Sequence, residues 1–356
     1  MKKVLSFIFK IKLLLTFLKR VFFRKSEPNS KSKIKLASEI LSRFIKDYHL
    51  FTTYFVFGLD KKDKKVSDYI GKKSFFNYLN KAENRITKKF GAPNNSFSIL
   101  IKDKFYLASI LTANGISHIQ SIAFIHNSFF IFKEGDIKPF EKGLEDISFP
   151  IIIKNTIKEY NEGFNLCDYR DGNYIVNNLF LKIDEFKNRF RWGTWVVQPL
   201  IKSHSKIQEF NKSALNTTRI VTLINNGVPQ FIGGFQAFAV GTAPTDSWGH
   251  GAVYVGIDPK NNCLTGNGYY HPNKYYAETA KVHPDSKIEF NGYEIPFLKE
   301  AVELCIKAHS YFPYTLLIGW DVAITDSGPF ILEGNERPGM TAFQLINGGV
   351  NRYIRS

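Results

Sequence analysis

Apolar and polar positions divide this chain into stretches of different period. Between Lys2 and Lys25 the apolar residues keep a helical spacing. At 100° per residue Val4, Phe7, Ile8, Ile11, Leu14, Leu15, Leu18 and Phe22 form one stripe, and Lys2, Lys3, Lys10, Lys12, Lys19, Arg20 and Arg24 fill the rest of the wheel. Ser26 to Lys35 has the polar texture of a linker. Leu, Ile and Phe return at helical spacing from Ala37 to about Leu50 and from Ser74 to Lys89, which predicts a helical region. From Ser98 the pattern is mixed. Asp103-Lys104 opens a helical run, Pro150 to Lys154 is an aliphatic strand ending in lysine, and Trp195 to Leu200 is an apolar strand broken by Pro199. Asn216 to Ile224 alternates its faces as a strand does. Residues 225–295 are rich in glycine and aromatics and read as short strands and turns, and Pro296 to Ser310 is an amphipathic helix. The last clear element is a hairpin from Leu316 to Met340, two β-rich runs around the turn Thr325-Asp326-Ser327-Gly328-Pro329.

A chain of 356 residues can bury a substantial core spread over two or three subdomains. Its net charge of +16 invites a nucleic-acid partner, but the distribution argues against one. Residues 1–35 hold eleven Lys or Arg against one acid, Glu27, so ten of the sixteen net charges sit in the N-terminal arm. Lys10 and Lys12 interrupt the apolar run of that arm and no small-residue cleavage site follows, which counts against a signal peptide. Its uncharged runs fall well short of the roughly 20 residues a membrane span needs. The expected role of residues 1–25 is a basic helix lying in the interface of an anionic membrane, against the alternative of a helix packed on the protein's own core. Cys167, Cys263 and Cys305 are widely spaced with no CxxC, so neither a disulfide framework nor a zinc site is indicated. The eight histidines show no ligand spacing. No GxxxxGK[ST], strand-borne GxGxxG or GxSxG is present, so the common kinase, dehydrogenase and serine-hydrolase folds are unsupported.

The candidate chemistry concentrates in the C-terminal hairpin. Asp321 sits inside an aliphatic run, and the opposite strand ends in Glu333 and Asn335, which at i and i+2 share a face. Three hard oxygen donors on adjacent strands suit Mg²⁺ bridging nucleotide phosphates. An aliphatic strand that ends in Lys154 delivers a cation from a rigid element to phosphate oxygens. Arg219 lies on a strand where a guanidinium could grip two oxygens of a developing acyl-phosphate.

Asp321, Glu333-x-Asn335 and Pro338-Gly339 together resemble the Mg²⁺-binding end of ATP-grasp ligases. With Asn216-Thr217-x-Arg219 upstream, the likeness is to the sugar-transfer-associated branch and spans roughly Lys104 to Gly349. The resemblance implies an α+β ATP-grasp fold, two α+β subdomains clamping the nucleotide behind a helical N-terminal region. The implied boundaries are 1–25 for the membrane-surface helix, 26–36 for the linker, 37–97 for the helical domain, 98–195 for the subdomain with the lysine strand and 196–356 for the subdomain with the metal site. It makes Lys104 and Lys154 the two nucleotide-contacting lysines and lets the backbone of Gln198, Pro199 and Leu200 meet the adenine edge. His204 resembles the histidine that follows the link between subdomains in this branch, with a structural histidine as the alternative, and the loop Asp246, Trp248, Gly249, His250, Gly251 resembles one near the acceptor end, with a plain turn cluster as the alternative. The family's glycine-rich loop over the phosphates is not matched, since Asn155 to Cys167 contains Gly163 alone. Backbone amides from Glu162 to Phe164, with Lys158, are a weak substitute.

The implied cofactors are ATP and Mg²⁺ and the implied reaction is ATP-dependent joining of a carboxylate to an amine through an acyl-phosphate. The branch points to bacterial surface polysaccharide, capsule or O-antigen, with an amino acid or amine linked to a sugar carboxylate. The basic helix fits a cytoplasmic enzyme peripheral to the inner face of the membrane. A ligase making a soluble peptide or other amide, and a membrane-tethered nucleotide-binding scaffold without turnover, stay open as alternatives.

Overall fold

The computed structural model describes residues 2–23, 25, 27–88, 96–133, 135–157, 163–273 and 275–354. Helix α1 (Lys2–Phe23) lies on α2 (Lys33–Lys46), and α3 (Tyr48–Thr52) and α4 (Lys72–Lys88) complete a helical region ahead of the sheets. Ser32 caps α2 by accepting the Lys35 N–H at 3.4 Å. Asp47 ends α2 and starts α3, accepting the N–H groups of Leu50 at 3.1 Å and Gly71 at 2.9 Å. Gly71 has no room for a side chain, because a Cβ there would lie 2.2 Å from the Asp47 carboxylate.

Helix α1 serves two surfaces. Leu13, Leu14, Phe17 and Val21 are buried with Leu36, Ile40, Phe51 and Tyr54, the Phe17 ring lying 4.7 Å from that of Phe51. The guanidinium of Arg20 stacks 4.6 Å from the Tyr275 ring, which pins the helix to a distant loop. The row Ile8, Leu15, Phe22, spaced by seven residues, is instead more than half exposed. Of the residues on the sequence-derived stripe, Leu14 is buried in this core and Leu18 packs against it partly buried, so the docked face is rotated from the stripe. No helix among the described residues is long and apolar enough to cross a membrane.

Helices α5 (Ile99–Lys102) and α6 (Lys104–Ala113) precede the first sheet in sequence but give Ile101, Leu107 and Leu111 to the core of the second. The first sheet is eight-stranded and antiparallel: β1 (Ala123–His126), β2 (Phe129–Phe132), β3 (Ile137–Pro139), β4 (Ile151–Asn155), β5 (Phe164–Arg170), β6 (Asn173–Val176), β7 (Leu179–Leu181) and β8 (Thr194–Pro199), in the order β3-β2-β1-β8-β4-β5-β6-β7. Helices α7 (Phe140–Leu144) and α8 (Ile183–Phe190) cover one face, where Phe140, Phe186 and Phe190 pack on Ile151, Ile153, Cys167 and Val197. Side chains alternate along a strand, so Ile152 and Lys154 turn to the opposite face.

Residues 200–217, with α9 (Ser205–Gln208), lead to the second sheet. Its strands are β9 (Thr218–Asn225), β10 (Val228–Phe238), β11 (Val253–Asp258), β12 (Cys263–Tyr269), β13 (Thr279–Ala280), β14 (Leu317–Thr325) and β15 (Gly328–Asn335), in the order β13-β12-β11-β10-β9-β14-β15. Helix α10 (Leu298–His309) buries Leu298, Ala301, Cys305 and Ala308 with Trp320 and Val322. On the other face α11 (Met340–Asn347), α12 (Asn351–Ile354) and α4 cover part of the sheet, packing Phe75, Leu79, Met340, Phe343 and Val350 on Val221, Leu223 and Leu317. The rest of that face carries the charged residues. Cys167, Cys263 and Cys305 are unpaired thiols.

Candidate active site

Strand register assembles the charges. Arg219 on β9 lies opposite Asp321 on β14, and Asp321 lies opposite Glu333 on β15. Residues directly across a ladder point to the same face, so the three form one row. Just beyond it the β14–β15 register shifts from Asp321/Glu333 to Val322/Ile331, leaving Leu332 as the extra residue of a bulge. Asn335, two residues after Glu333, faces Gly319 on the same side. Gly319 is required by this packing, since a Cβ there would come 2.7 Å from Pro338 and 3.2 Å from the Arg219 guanidinium.

Arg219 grips Asp321 with both arms, Nε to Oδ1 at 2.5 Å and Nη2 to Oδ2 at 3.0 Å. Asn335 Nδ2 donates to Asp321 Oδ2 at 3.3 Å and to the Gly319 carbonyl at 3.4 Å. Lys104 heads α6, where Asp103 caps the helix by accepting the Phe105 N–H at 2.8 Å, and its ammonium stands 3.6 Å from Glu333 Oε2. The Lys104 N–H donates to the Thr156 carbonyl at 3.0 Å, tying this helix start to the end of the lysine strand. Lys154 completes the group from the first sheet, with Glu333, Lys104, Asp321 and Asp246 all close enough to move its titration.

The electrostatics are those of a crowded, partly dehydrated site. Burial pushes the Lys154 ammonium below its ordinary pKa, Glu333 works against that shift and Lys104 adds to it. Burial, then the neighbouring Glu333, raise the Asp321 carboxyl, with Arg219 opposing. For Glu333 burial acts upward, but Lys104 and Lys154 outweigh it and hold the carboxyl below its usual range. The two carboxyl groups act on each other's titration, Glu333 raising Asp321, as two acids across one ladder position do. Arg219 is raised: burial lowers it, and Asp321 more than compensates.

The convergence of Asp321, Glu333 and Asn335 across β14 and β15 is the observation against which a divalent cation is tested. Two partly buried carboxyl groups and a carboxamide, all hard oxygen donors on adjacent strands, fit Mg²⁺. Asp321 Oδ2 accepts from both Arg219 and Asn335, while Oδ1, engaged by Arg219, keeps a second lone pair. Among the described residues no group of three or more His, Cys, Asp or Glu side chains is set to hold a metal, so the set depends on Asn335.

Asp246, named above in the loop that resembles one near the acceptor end, joins the site, and so does Tyr254, which the sequence did not single out. Asp246, in the loop before β11, accepts both the N–H and the hydroxyl of Thr217 through Oδ2, each at 2.6 Å, and burial raises its carboxyl. Tyr254 on β11 lies near Asp246, Arg219 and Asp321, and burial raises its phenol. The resemblance of its loop points Asp246 to the acceptor end, but no local pattern announces the convergence with Tyr254, which comes from β9, β10 and β11 being neighbours.

The remaining candidates are placed as follows. Gln198 is buried on β8 opposite Ile152, two positions along from the Val196/Lys154 pair, and its amide donates to the Ile119 carbonyl at 3.4 Å. Pro199 and Leu200 are exposed at the strand end where the chain leaves the first sheet. His204 caps α9 by accepting the Lys206 N–H at 3.1 Å and sits 3.5 Å from Asp326 at the hairpin tip. Asp326 is five residues from Asp321, roughly 16 Å along the strand, so His204 belongs to the turn and not to the charged row. Lys158 and Glu162 lie outside the described residues. Gly163, with φ of +85°, closes the β4–β5 turn, and the Lys154 ammonium lies 5.6 Å from the Phe164 ring.

The sequence model of the family described as "Sugar-transfer associated ATP-grasp" matches residues 85–353. Similar solved structures include the D-alanine–D-alanine ligase of Bacillus anthracis, at 15% identity and TM-score 0.43 over 79% of this chain and 76% of that one. The L-amino acid ligase of Bacillus licheniformis is 14% identical, with TM-score 0.40 over 73% of this chain and 47% of that one. An ADP complex of N5-carboxyaminoimidazole ribonucleotide synthetase is 9% identical, with TM-score 0.39 over 69% of this chain and 52% of that one. The chain thus spans about half the length of the latter two. No curated protein matches it.

Proposed function

The chain belongs to the sugar-transfer associated ATP-grasp family, and we propose that it is an ATP-dependent carbon–nitrogen ligase that joins a carboxylate to an amine. The observation that carries this is the row Arg219, Asp321, Glu333 with Lys104 and Lys154 facing it, a set of charges sized for a triphosphate and its counter-ion. Asp321, Glu333 and Asn335 would hold Mg²⁺, which when bound neutralises phosphate charge. Lys104 and Lys154 orient the β- and γ-phosphates, and the β8 end at Gln198, Pro199 and Leu200 receives the adenine. A carboxylate oxygen attacks the γ-phosphorus, the bond to ADP breaks, and an acyl-phosphate forms beside Arg219. The guanidinium is retained there because it stays ionised and can hold two oxygens. An amine nitrogen then attacks the acyl carbon, and phosphate leaves with the bonding pair. No side-chain nucleophile is required, so the protein contributes positioning and charge neutralisation.

The substrate class we propose is a sugar carboxylate in bacterial surface polysaccharide, joined to an amino acid or amine at the inner face of the membrane. The family supports a link to sugar transfer, and α1 supports the location. Its outward row Ile8, Leu15, Phe22 lies beside Lys12 and Lys19, an apolar strip edged with ammonium groups suited to an anionic lipid surface. The test is ATP turnover with D-glucuronate or D-galacturonate and a panel of amino acids. Wild-type protein should release phosphate and Glu333→Ala nearly none, whereas a non-catalytic scaffold releases none in either form.

A further inference from the structure

The row of charges continues past Arg219. Phe235 on β10 lies opposite Arg219, so Phe235, Arg219, Asp321 and Glu333 are consecutive across four strands. At roughly 4.8 Å per strand, the distance from Glu333 to Phe235 is about 14 Å, enough to separate a triphosphate end from an acceptor end. The acceptor end is built. The Phe235 ring stacks on Tyr254 at 4.6 Å and 15°, and Tyr254 stacks on Trp248 at 4.7 Å and 11°. Trp248 is fixed at both ends, its backbone N–H donating to the Tyr254 hydroxyl at 3.2 Å and its indole N–H to the Tyr269 carbonyl at 3.1 Å. Two residues before Trp248, Asp246 is clamped by Thr217 and lies in the fields of Arg219 and Lys154.

We propose that Asp246 is a catalytic residue of the second half-reaction: it receives the amine substrate beside the Trp248 and Tyr254 rings and takes the proton that the amine must lose. This rests on the ligase reading above and adds to it the position and chemistry of the amine. The substrate arrives as a primary ammonium. Asp246 first takes one of its three protons, which frees the nitrogen lone pair; the neutral amine then bonds to the acyl carbon, phosphate departs with the C–O electron pair, and the second N–H proton leaves on the departing phosphate. The two Thr217 bonds to Oδ2 fix the carboxylate plane. Arg219 and Lys154 disfavour a lingering ammonium and so drive the transfer, while burial keeps the carboxylate more basic than an exposed one. A purely structural Asp246, present only to pin Thr217, would explain the hydrogen bonds but not the placement of a half-buried carboxylate within the field of Arg219, two residues before Trp248 of the aromatic stack.

Hydroxylamine separates these roles, because it is already an uncharged nucleophile at neutral pH and needs no base. Full-length wild-type and Asp246→Asn proteins are assayed with ATP, Mg²⁺ and D-glucuronate or D-galacturonate, once with hydroxylamine and once with L-alanine, L-lysine or ethanolamine. The carboxamide of Asn can still accept from Thr217, and a thermal melt checks that the variant folds. The expected result is that the substitution lowers amide formation on the order of a hundredfold more than hydroxamate formation, with the amide rate recovering as pH is raised. Equal loss of both products, or no loss of either, overturns the role of Asp246. Absence of hydroxamate from the wild-type protein contradicts the ligase reading itself, and the proposal falls with it.

Discussion

Replacing Glu83 by Ala should destabilise the whole protein, because this one carboxylate bolts the N-terminal helices to the strand that carries the site. Glu83, on α4, is buried, and its Oε2 accepts Arg337 Nη2 at 2.6 Å while Oε1 accepts Nη1 at 3.3 Å and the Leu316 N–H at 3.1 Å. Leu316 immediately precedes β14, and Arg337 follows Asn335 by two residues. Removing the carboxylate strands a guanidinium with 19% side-chain exposure and a backbone N–H. Breaking a buried ion pair from one side costs about 3 to 5 kcal/mol. Arg337 retains the Asn80 side chain at 2.8 Å and the Glu336 carbonyl at 2.9 Å, which puts the expected loss near the lower end, about 3 kcal/mol. Glu83→Gln keeps the volume and an acceptor for Leu316, so its cost should be roughly half as large. Urea unfolding followed by tryptophan fluorescence gives the midpoint shift, and a cycle with Arg337→Met isolates the pair, with an expected coupling of about 2 kcal/mol. A loss below about 1 kcal/mol for Glu83→Ala, or strict additivity in the cycle, refutes the reasoning.

Three further outcomes follow from the geometry. His309 is fully buried, donating from Nε2 to the Thr315 carbonyl at 2.9 Å and accepting at Nδ1 from the Thr222 hydroxyl at 2.7 Å, and burial lowers its pKa to about 4. The unfolded chain therefore binds a proton near pH 6.5 that the folded one refuses, so stability should fall between pH 6.5 and 4 by on the order of 3 kcal/mol, and His309→Gln should remove that slope in pH-dependent urea melts. Arg219→Lys keeps the charge but loses the two-armed grip on Asp321 (2.5 and 3.0 Å), so acyl-phosphate formation, read as hydroxamate, should drop on the order of a hundredfold with little change in ATP affinity. Changing Ile8, Leu15 and Phe22 together to Ser should reduce co-sedimentation with anionic vesicles and leave the melting temperature within a few degrees, because all three point outward; unchanged sedimentation would remove α1 from the membrane.

The parts of this protein that could be read from sequence are those whose signal is local. The hairpin of Asp321 and Glu333 stood out because charges interrupt an aliphatic run, and Lys154 because a strand of isoleucines ends in a cation. Helices α2, α4, α6 and α10 follow from apolar spacing alone. The family resemblance fixed the fold class, and the family match over residues 85–353 agrees with it. What sequence did not reveal depends on which strands become neighbours. That Arg219 faces Asp321 follows from β9 lying beside β14, 102 residues away in the chain. Asp246 is named only through the resemblance of its loop, with a plain turn cluster as the alternative, and Glu83 meets Arg337 across 254 residues. The insertion of β8 between β1 and β4 is likewise a long-range pairing without a local mark. For α1 the spacing was legible but the docked face was not, since apolar residues surround the helix and the partner selects which of them it buries.

The central claim is that Lys104, Lys154, Asp321 and Glu333 hold one nucleotide triphosphate with its counter-ion. Calorimetric titration of the full chain with a non-hydrolysable ATP analogue, with and without Mg²⁺, tests it most directly. The account predicts binding that Mg²⁺ strengthens in the wild-type protein, loss of that Mg²⁺ enhancement in Glu333→Gln, and weakening on the order of a hundredfold in Lys154→Met. Binding that ignores Mg²⁺ and survives both substitutions would contradict it.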